Sequence, residues 1–168
     1  MRIFLTGFSG AGKTTFGEKL SKDDKFQVFD LDEEIFNRMG TGYDSLAEYI
    51  QDIGIEEFRK DEIDMIKLLH QNMKDDYLVS LGAGALDEQV VVDFISEIGG
   101  KLVYIQSTFE ECWERLKKDN NRPLAKNGID FMKDLYEKRT PSYEKSDLFL
   151  TQAQIQEINT VEELLKLL

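Results

Sequence analysis

Short apolar runs alternate along the chain with longer stretches of helical period. Ile3-Phe4-Leu5, the run from Phe26 to Phe29, Tyr77-Leu78-Val79-Ser80-Leu81, residues 101–106 and Leu148-Phe149-Leu150 each read as strands. Helices are predicted over 13–20, 35–39, from a cap at Asp44 or Ser45 to about 51, and over 55–73, 89–98, 109–117, 129–138 and 161–168. The first and last of these strands, with their helices, place the whole chain in one unit, free of repeats, linkers and low-complexity stretches. In the long segment 55–73, Ile55, Phe58, Met65, Ile66, Leu69 and Met73 form an apolar stripe. Glu62 interrupts it, one turn from Phe58 and one from Ile66, where an apolar residue belongs.

The turn after the first strand carries the densest chemistry. Gly7, Gly12, Lys13 and Thr14 fit G-x-x-x-x-G-K-[ST], between an apolar run and a helix. Such a turn points backbone N–H groups and the dipole end of the following helix at an anion, and Lys13 adds a full charge. Gly10, Ala11, Gly12, Lys13, Thr14 and Thr15 are therefore candidates to hold the phosphates of a nucleotide, with the Thr14 hydroxyl on Mg²⁺. Asp30 and Asp32 end the second strand run, where ligands gather in a parallel sheet. Two readings stand for them: one acid toward the metal and one toward an acceptor, or a helix N-cap followed by the dipole-favoured acids Glu33 and Glu34. Arg59 and Glu62, three apart, are either a surface pair or an inward guanidinium held by a carboxylate and aimed at an anion. Gly82-Ala83-Gly84-Ala85, after the third run, allow close approach of a ligand or merely tight packing.

Composition narrows the classes. The 168 residues suffice for one self-supporting core, and 41% hydrophobic content is ordinary for a globular domain. With 21 basic and 33 acidic residues, the net charge of −12 argues against nucleic acid as a partner, and an anionic ligand must be met by local cations. The stretch KKDNNRPLAKNG, residues 117–128, holds four cations and one acid and has no apolar period. It reads either as a solvated connection or, with better use in a phosphate-binding protein, as a mobile lid whose closure brings Arg122 onto a transferring phosphoryl group and excludes water. Cys112 is the single cysteine and His70 the single histidine, so neither an internal disulfide nor a transition-metal site is expected. Cys112 and Trp113 read as packing residues, and His70 as a solvated surface group. The N-terminus goes straight into a strand and the phosphate loop, and no apolar run is long enough to span a bilayer, which sets the expectation of a cytoplasmic protein away from membranes.

In combination these blocks resemble the shikimate kinase family: the loop GFSGAGKT, D-x-D as Asp30 and Asp32, F-R-x-x-E as Phe58, Arg59 and Glu62, the small-residue turn, R-P-L as Arg122, Pro123 and Leu124, and K-R-x-P-x-Y as Lys138, Arg139, Pro141 and Tyr143. The resemblance spans nearly the whole chain. It implies a three-layer α/β/α P-loop kinase fold with a central parallel sheet of about five strands, and phosphorylation of the shikimate 3-hydroxyl by ATP with Mg²⁺ in a monomeric enzyme. By the same resemblance Arg59, Arg139 and residues Gly82, Ala83 and Gly84 would hold shikimate, with Glu62 supporting Arg59 and Asp32 on the hydroxyl that attacks. Asp30 would arrange Mg²⁺ with Thr14, Arg122 would be the lid arginine, and Arg115 would lie against adenine. The acceptor-binding helical region would be about 31–62. Two positions depart from the pattern: the triple glycine reads Gly82-Ala83-Gly84, and the Gly-Glu before F-R-x-x-E reads Gly54-Ile55. The methyl of Ala83 would crowd the acceptor if the backbone there required a glycine conformation. Two other functions fit the phosphate loop, a kinase for another small hydroxy acid such as gluconate and a nucleotide switch. The switch is disfavoured by the lack of an N-K-x-D guanine-reading sequence.

Overall fold

The computed structural model describes residues 1–22, 26–73, 76–118 and 126–168. Among them, five strands form one parallel sheet: β1 (Arg2–Thr6), β2 (Gln27–Asp30), β3 (Tyr77–Ser80), β4 (Lys101–Ile105) and β5 (Leu148–Leu150), in the order β2-β3-β1-β4-β5. Phe4 of β1 lies opposite Val79 of β3 on one side and Leu102 of β4 on the other. Every residue of β3 is buried, as are Ile3 to Thr6 of β1. Their unbroken apolar runs follow from this, since a parallel sheet is covered on both faces.

The covering elements are helices, α1 (Lys13–Leu20), α2 (Leu31–Met39), α3 (Leu46–Ile53), α4 (Ile55–Asn72), α5 (Gln89–Glu97), α6 (Phe109–Leu116), α7 (Ile129–Tyr143), α8 (Gln152–Glu157) and α9 (Val161–Leu165), with a 3-10 turn at Ala85–Asp87. This is the three-layer α/β arrangement expected from the sequence. Local chemistry sets the ends. The Ser45 hydroxyl accepts from the Glu48 N–H to start α3, and Thr108 with Glu111 forms a capping box on α6. In α4 the buried face is Phe58, Glu62, Ile63, Met65, Ile66 and Leu69, so Glu62 does stand in the apolar stripe, whereas Ile55 at the helix start is 53% exposed. No helix among the described residues is long and apolar enough to cross a membrane.

Three expectations change. The helix predicted over 129–138 continues through Pro141 to Tyr143. Pro141 has no N–H for the Glu137 carbonyl four residues back; the helix is held on either side of that gap, where Arg139 donates to Asp87 and the Tyr143 hydroxyl to the Ala83 carbonyl. The six-residue α8 has no buried residue and hence no apolar face to announce it. His70 is not a solvated group: its Nδ1 is 3.1 Å from the Tyr77 hydroxyl and its ring meets Phe94 edge to face at 5.9 Å.

Because β3 lies between β1 and β2, the chain leaves β1 in one direction and later turns to the other side for β4 and β5, and ligands bind at the carboxyl ends around such a reversal. The carboxyl ends carry the phosphate loop after β1, Asp30 at β2, residues 82–84 after β3, Ser107 after β4 and Gln152 after β5. Leu5, fully buried in the central strand, tests the scaffold. Leu5→Ala is expected to lower unfolding free energy by about 3 kcal/mol in urea denaturation, the usual cost of such a core truncation.

Candidate functional site

The phosphate loop is held in shape by positive φ at glycines. Gly12, with φ 99°, starts α1, and Gly10, with φ 78°, passes so close to α6 that a Cβ would lie 2.9 Å from the Cys112 carbonyl oxygen. Only glycine meets both demands at position 10. Lys13, almost fully buried, donates from Nζ to the carbonyls of Gly7 at 2.7 Å and Phe8 at 3.1 Å. Its ammonium therefore folds back across the loop.

Asp30 shows that its two readings are compatible. Oδ1 accepts from the N–H groups of Asp32 and Glu33 and caps α2, while Oδ2 accepts the Thr14 hydroxyl at 2.7 Å. A hydroxyl and a carboxylate are thus brought together beside the loop, and both are hard oxygen donors of the kind that hold Mg²⁺ along with phosphate oxygens and water. A cleft of about 500 Å³ opens here; Gly10, Gly12, Lys13, Thr14, Thr15, Asp30, Asp32, Gly82, Ala83 and Arg115 all line it. Ala11 does not: its side chain is buried, so only its backbone can serve a ligand.

The turn after β3 joins this cleft to a second cluster. A Cβ on Gly82 would lie 2.5 Å from Glu62 Oε1 and 2.9 Å from Asp32 Oδ1, and one on Gly84 would lie 2.0 Å from Arg59 Nη2 and 2.5 Å from Arg139 Nη2. Two carboxylates therefore flank one end of the turn and two guanidiniums the other. Each cation has its own acid. Arg59 pairs through Nη1 with Glu62 Oε2, and Arg139, 7% exposed, donates from Nε to Asp87 Oδ2 at 2.9 Å. Ala83 sits between, at negative φ, and its carbonyl accepts the Tyr143 hydroxyl at 2.6 Å. The condition under which its methyl would crowd an acceptor is not met.

A family model for shikimate kinase matches residues 9–168. The shikimate kinase of Aquifex aeolicus is 34% identical over 88% of this chain and 84% of its own length, and that of Chlorobium limicola 35% identical over 96% and 83%. The chain belongs to the shikimate kinase family. Among solved structures, the fold superposes on a shikimate kinase from Acinetobacter baumannii in complex with shikimate at a TM-score of 0.82, with 26% identity over 99% of this chain and 91% of that one. The Aquifex aeolicus shikimate kinase gives 0.80 with 33% identity, over 99% and 95%. A deoxyadenosine kinase from M. mycoides gives 0.59 at 16% identity and shows a shared fold alone.

The sequence-predicted residues fall together around this cleft and turn, except Arg122, expected as a lid arginine, which lies with 119–125 outside the described residues. Asp87 and the hydroxyl of Tyr143 were not assigned roles from sequence. Asp87 sits in a short turn with no helical or strand period, and Tyr143 was visible only as part of the K-R-x-P-x-Y block.

Glu62 is the electrostatic outlier. Burial pushes its carboxyl up to about 7, and Asp32 nearby pushes the same way, while the guanidiniums of Arg59 and Arg139 pull it down without prevailing. Oε1 has no hydrogen-bond partner among the described residues, so one lone-pair side of the anion is uncompensated, which is why burial wins. A carboxyl bound more tightly to its proton in the folded than in the unfolded state stabilises the fold below its unfolded value of 4.5, and that contribution is lost as pH rises through about 7. Relative to Glu62→Gln, the wild type is expected to lose thermal stability between pH 4.5 and pH 8; parallel curves for the two proteins would contradict this. Gly84 offers a separate test. Its φ of −104° suits alanine, and the atoms in the way are the far ends of two arginines. Gly84→Ala is expected to raise the acceptor KM by about tenfold or more while leaving the melting temperature within a few degrees.

Proposed function

We propose that the protein transfers the γ-phosphoryl group of ATP to the 3-hydroxyl of shikimate, the step of the shikimate pathway that leads toward chorismate and the aromatic amino acids. The observation that carries this is the turn 82–84, with carboxylates at one end and guanidiniums at the other, beside a phosphate loop. A small alcohol bearing a carboxylate matches that polarity. Arg59 and Arg139 take its carboxylate in two-pronged contacts. Asp32 orients the attacking hydroxyl and accepts its proton.

On the donor side, N–H groups of residues 10–15 and the Lys13 ammonium receive the phosphates, and Arg115 lies against the base. Arg122 closes onto the transferring group and keeps water out. Thr14 and Asp30 hold Mg²⁺, which when bound offsets phosphate charge. Since phosphoryl transfer has a loose transition state, positioning and charge account for most of the rate, and these residues provide both. The working form is a cytoplasmic monomer.

The purified protein is expected to release ADP from ATP and Mg²⁺ only when shikimate is present, in a coupled assay run against a panel that includes gluconate. Equal rates with gluconate, or release independent of any acceptor, would overturn the substrate assignment. Arg122→Ala is expected to lower kcat about a hundredfold or more, as removal of a transition-state cation does, with the acceptor KM little changed.

A further inference from the structure

Gln152, the first residue of α8, lies immediately after β5 and reaches across the sheet end to the phosphate loop. Its Nε2, with two N–H groups, lies 2.6 Å from Ser107 Oγ, 2.8 Å from Gln106 O and 3.0 Å from Ala11 O, and the Ser107 hydroxyl in turn donates to Ala11 O at 3.5 Å. Its Oε1 accepts from Arg115 Nη2 at 2.9 Å, and Arg115 Nη1 in turn donates to Gly10 O at 2.7 Å. The orientation of the amide is fixed by its partners, because a guanidinium only donates and a carbonyl only accepts.

We propose that Gln152 is a positioning residue for the nucleotide, one that sets both the peptide planes of the phosphate loop and the guanidinium plane of Arg115. A phosphate cradle works by directing N–H groups at the anion, and in a trans peptide the carbonyl then points the opposite way. Loop carbonyls facing outward need donors there, or they draw the peptide toward some other partner. Gln152, with the Ser107 hydroxyl at 3.5 Å, supplies that donor to the Ala11–Gly12 peptide; Arg115 holds the carbonyl of the Gly10–Ala11 peptide, whose N–H is bonded within the loop to Phe8 O at 3.1 Å. The same amide holds Arg115 at the edge of a cleft of about 400 Å³ bordered by Gly12, Phe16, Gln152 and Ile155, on the side of the loop away from β3. A planar cation fixed against a partly apolar cleft suits a heteroaromatic base. A glutamate at 152 has no donor for the carbonyls, and a leucine satisfies neither the carbonyls nor Arg115.

The inference rests on the reading of this end of the sheet as the ATP site, so its test separates the two. ADP binding by calorimetry and steady-state kinetics with ATP and shikimate are measured for the wild type, Gln152→Leu, Gln152→Glu and Gln152→Asn. Gln152→Leu and Gln152→Glu are expected to weaken ADP binding and raise the ATP KM about tenfold, with the shikimate KM within about twofold of wild type and the Asn variant in between. Arg115→Ala combined with Gln152→Leu is expected to lose less than the product of the single losses, because the two act as one unit. Unchanged ADP affinity in both Leu and Glu variants would overturn the role of Gln152, as would equal rises in both KM values. Wild-type protein that bound ADP but did not phosphorylate shikimate would overturn the proposed reaction and leave the role of Gln152 standing on the ADP affinities.

Discussion

Two buried or nearly buried guanidiniums meeting at one glycine set the terms for the part of the molecule around the turn after β3. Arg59 comes from α4 and Arg139 from α7, and both end beside Gly84. Removing such cations from water without a partner costs several kcal/mol each, so each needs an acid held in a fixed place. Glu62 is one helical turn from Arg59, and Asp87 sits in the 3-10 turn that follows the glycine. The need to pair the charges thus ties α4, the turn after β3 and α7 into one arrangement. Two cations so close would otherwise repel each other. The burial of Glu62 itself, against the pull of both guanidiniums, is what raises its carboxyl to about 7.

The phosphate loop depends on a different device, the direction of peptide groups. Its loop has few side chains that could reach a phosphate, and its positive charge comes from N–H groups, one lysine and a helix end. Held that way, the loop turns carbonyls outward, and neighbouring elements answer them with Arg115 and Gln152. The loop and the turn after β3 meet through the sheet. Because the five strands are parallel, their carboxyl ends lie on one edge: residues at the ends of β1, β2 and β3 line one cleft, and Gln152 after β5 lines an adjoining one that shares Gly12, Thr15 and Arg115 with it.

Legibility in the sequence followed the physical origin of each feature. The strands were readable because burial on both faces makes them continuous apolar runs, and the loop was readable because its residue types are dictated by backbone geometry and charge. Asp30, Asp32, Arg59 and Glu62 were readable as candidates, and Glu62 stood out because it breaks an apolar stripe. Residues acting through one long-range bond left little trace. Gln152 belongs to a helix of six residues without an apolar face, for which the only local signal is the Thr151-x-x-Gln154 capping box. Tyr143 lies after a proline that normally ends a helix, and its partner is 60 residues away. His70 was misread because one polar ring on a helix gives no hint of the Tyr77 hydroxyl that receives it.

The alanine in the turn after β3 occupies a position where the local geometry accepts a methyl. Three small residues in a row suggest that all three are needed, yet the space around them is uneven. Side chains at 82 and 84 would run into the carboxylates of Glu62 and Asp32 or the guanidiniums of Arg59 and Arg139. At 83 the backbone has negative φ, the carbonyl is turned to Tyr143, and the residue is half-buried at the lining of the cleft. A methyl there adds no strain to the backbone and leaves the four charged groups in place. The requirement for glycine therefore belongs to the flanks of the turn, where charged side chains must converge, and the middle position is free to carry a methyl so long as its carbonyl stays bonded to Tyr143.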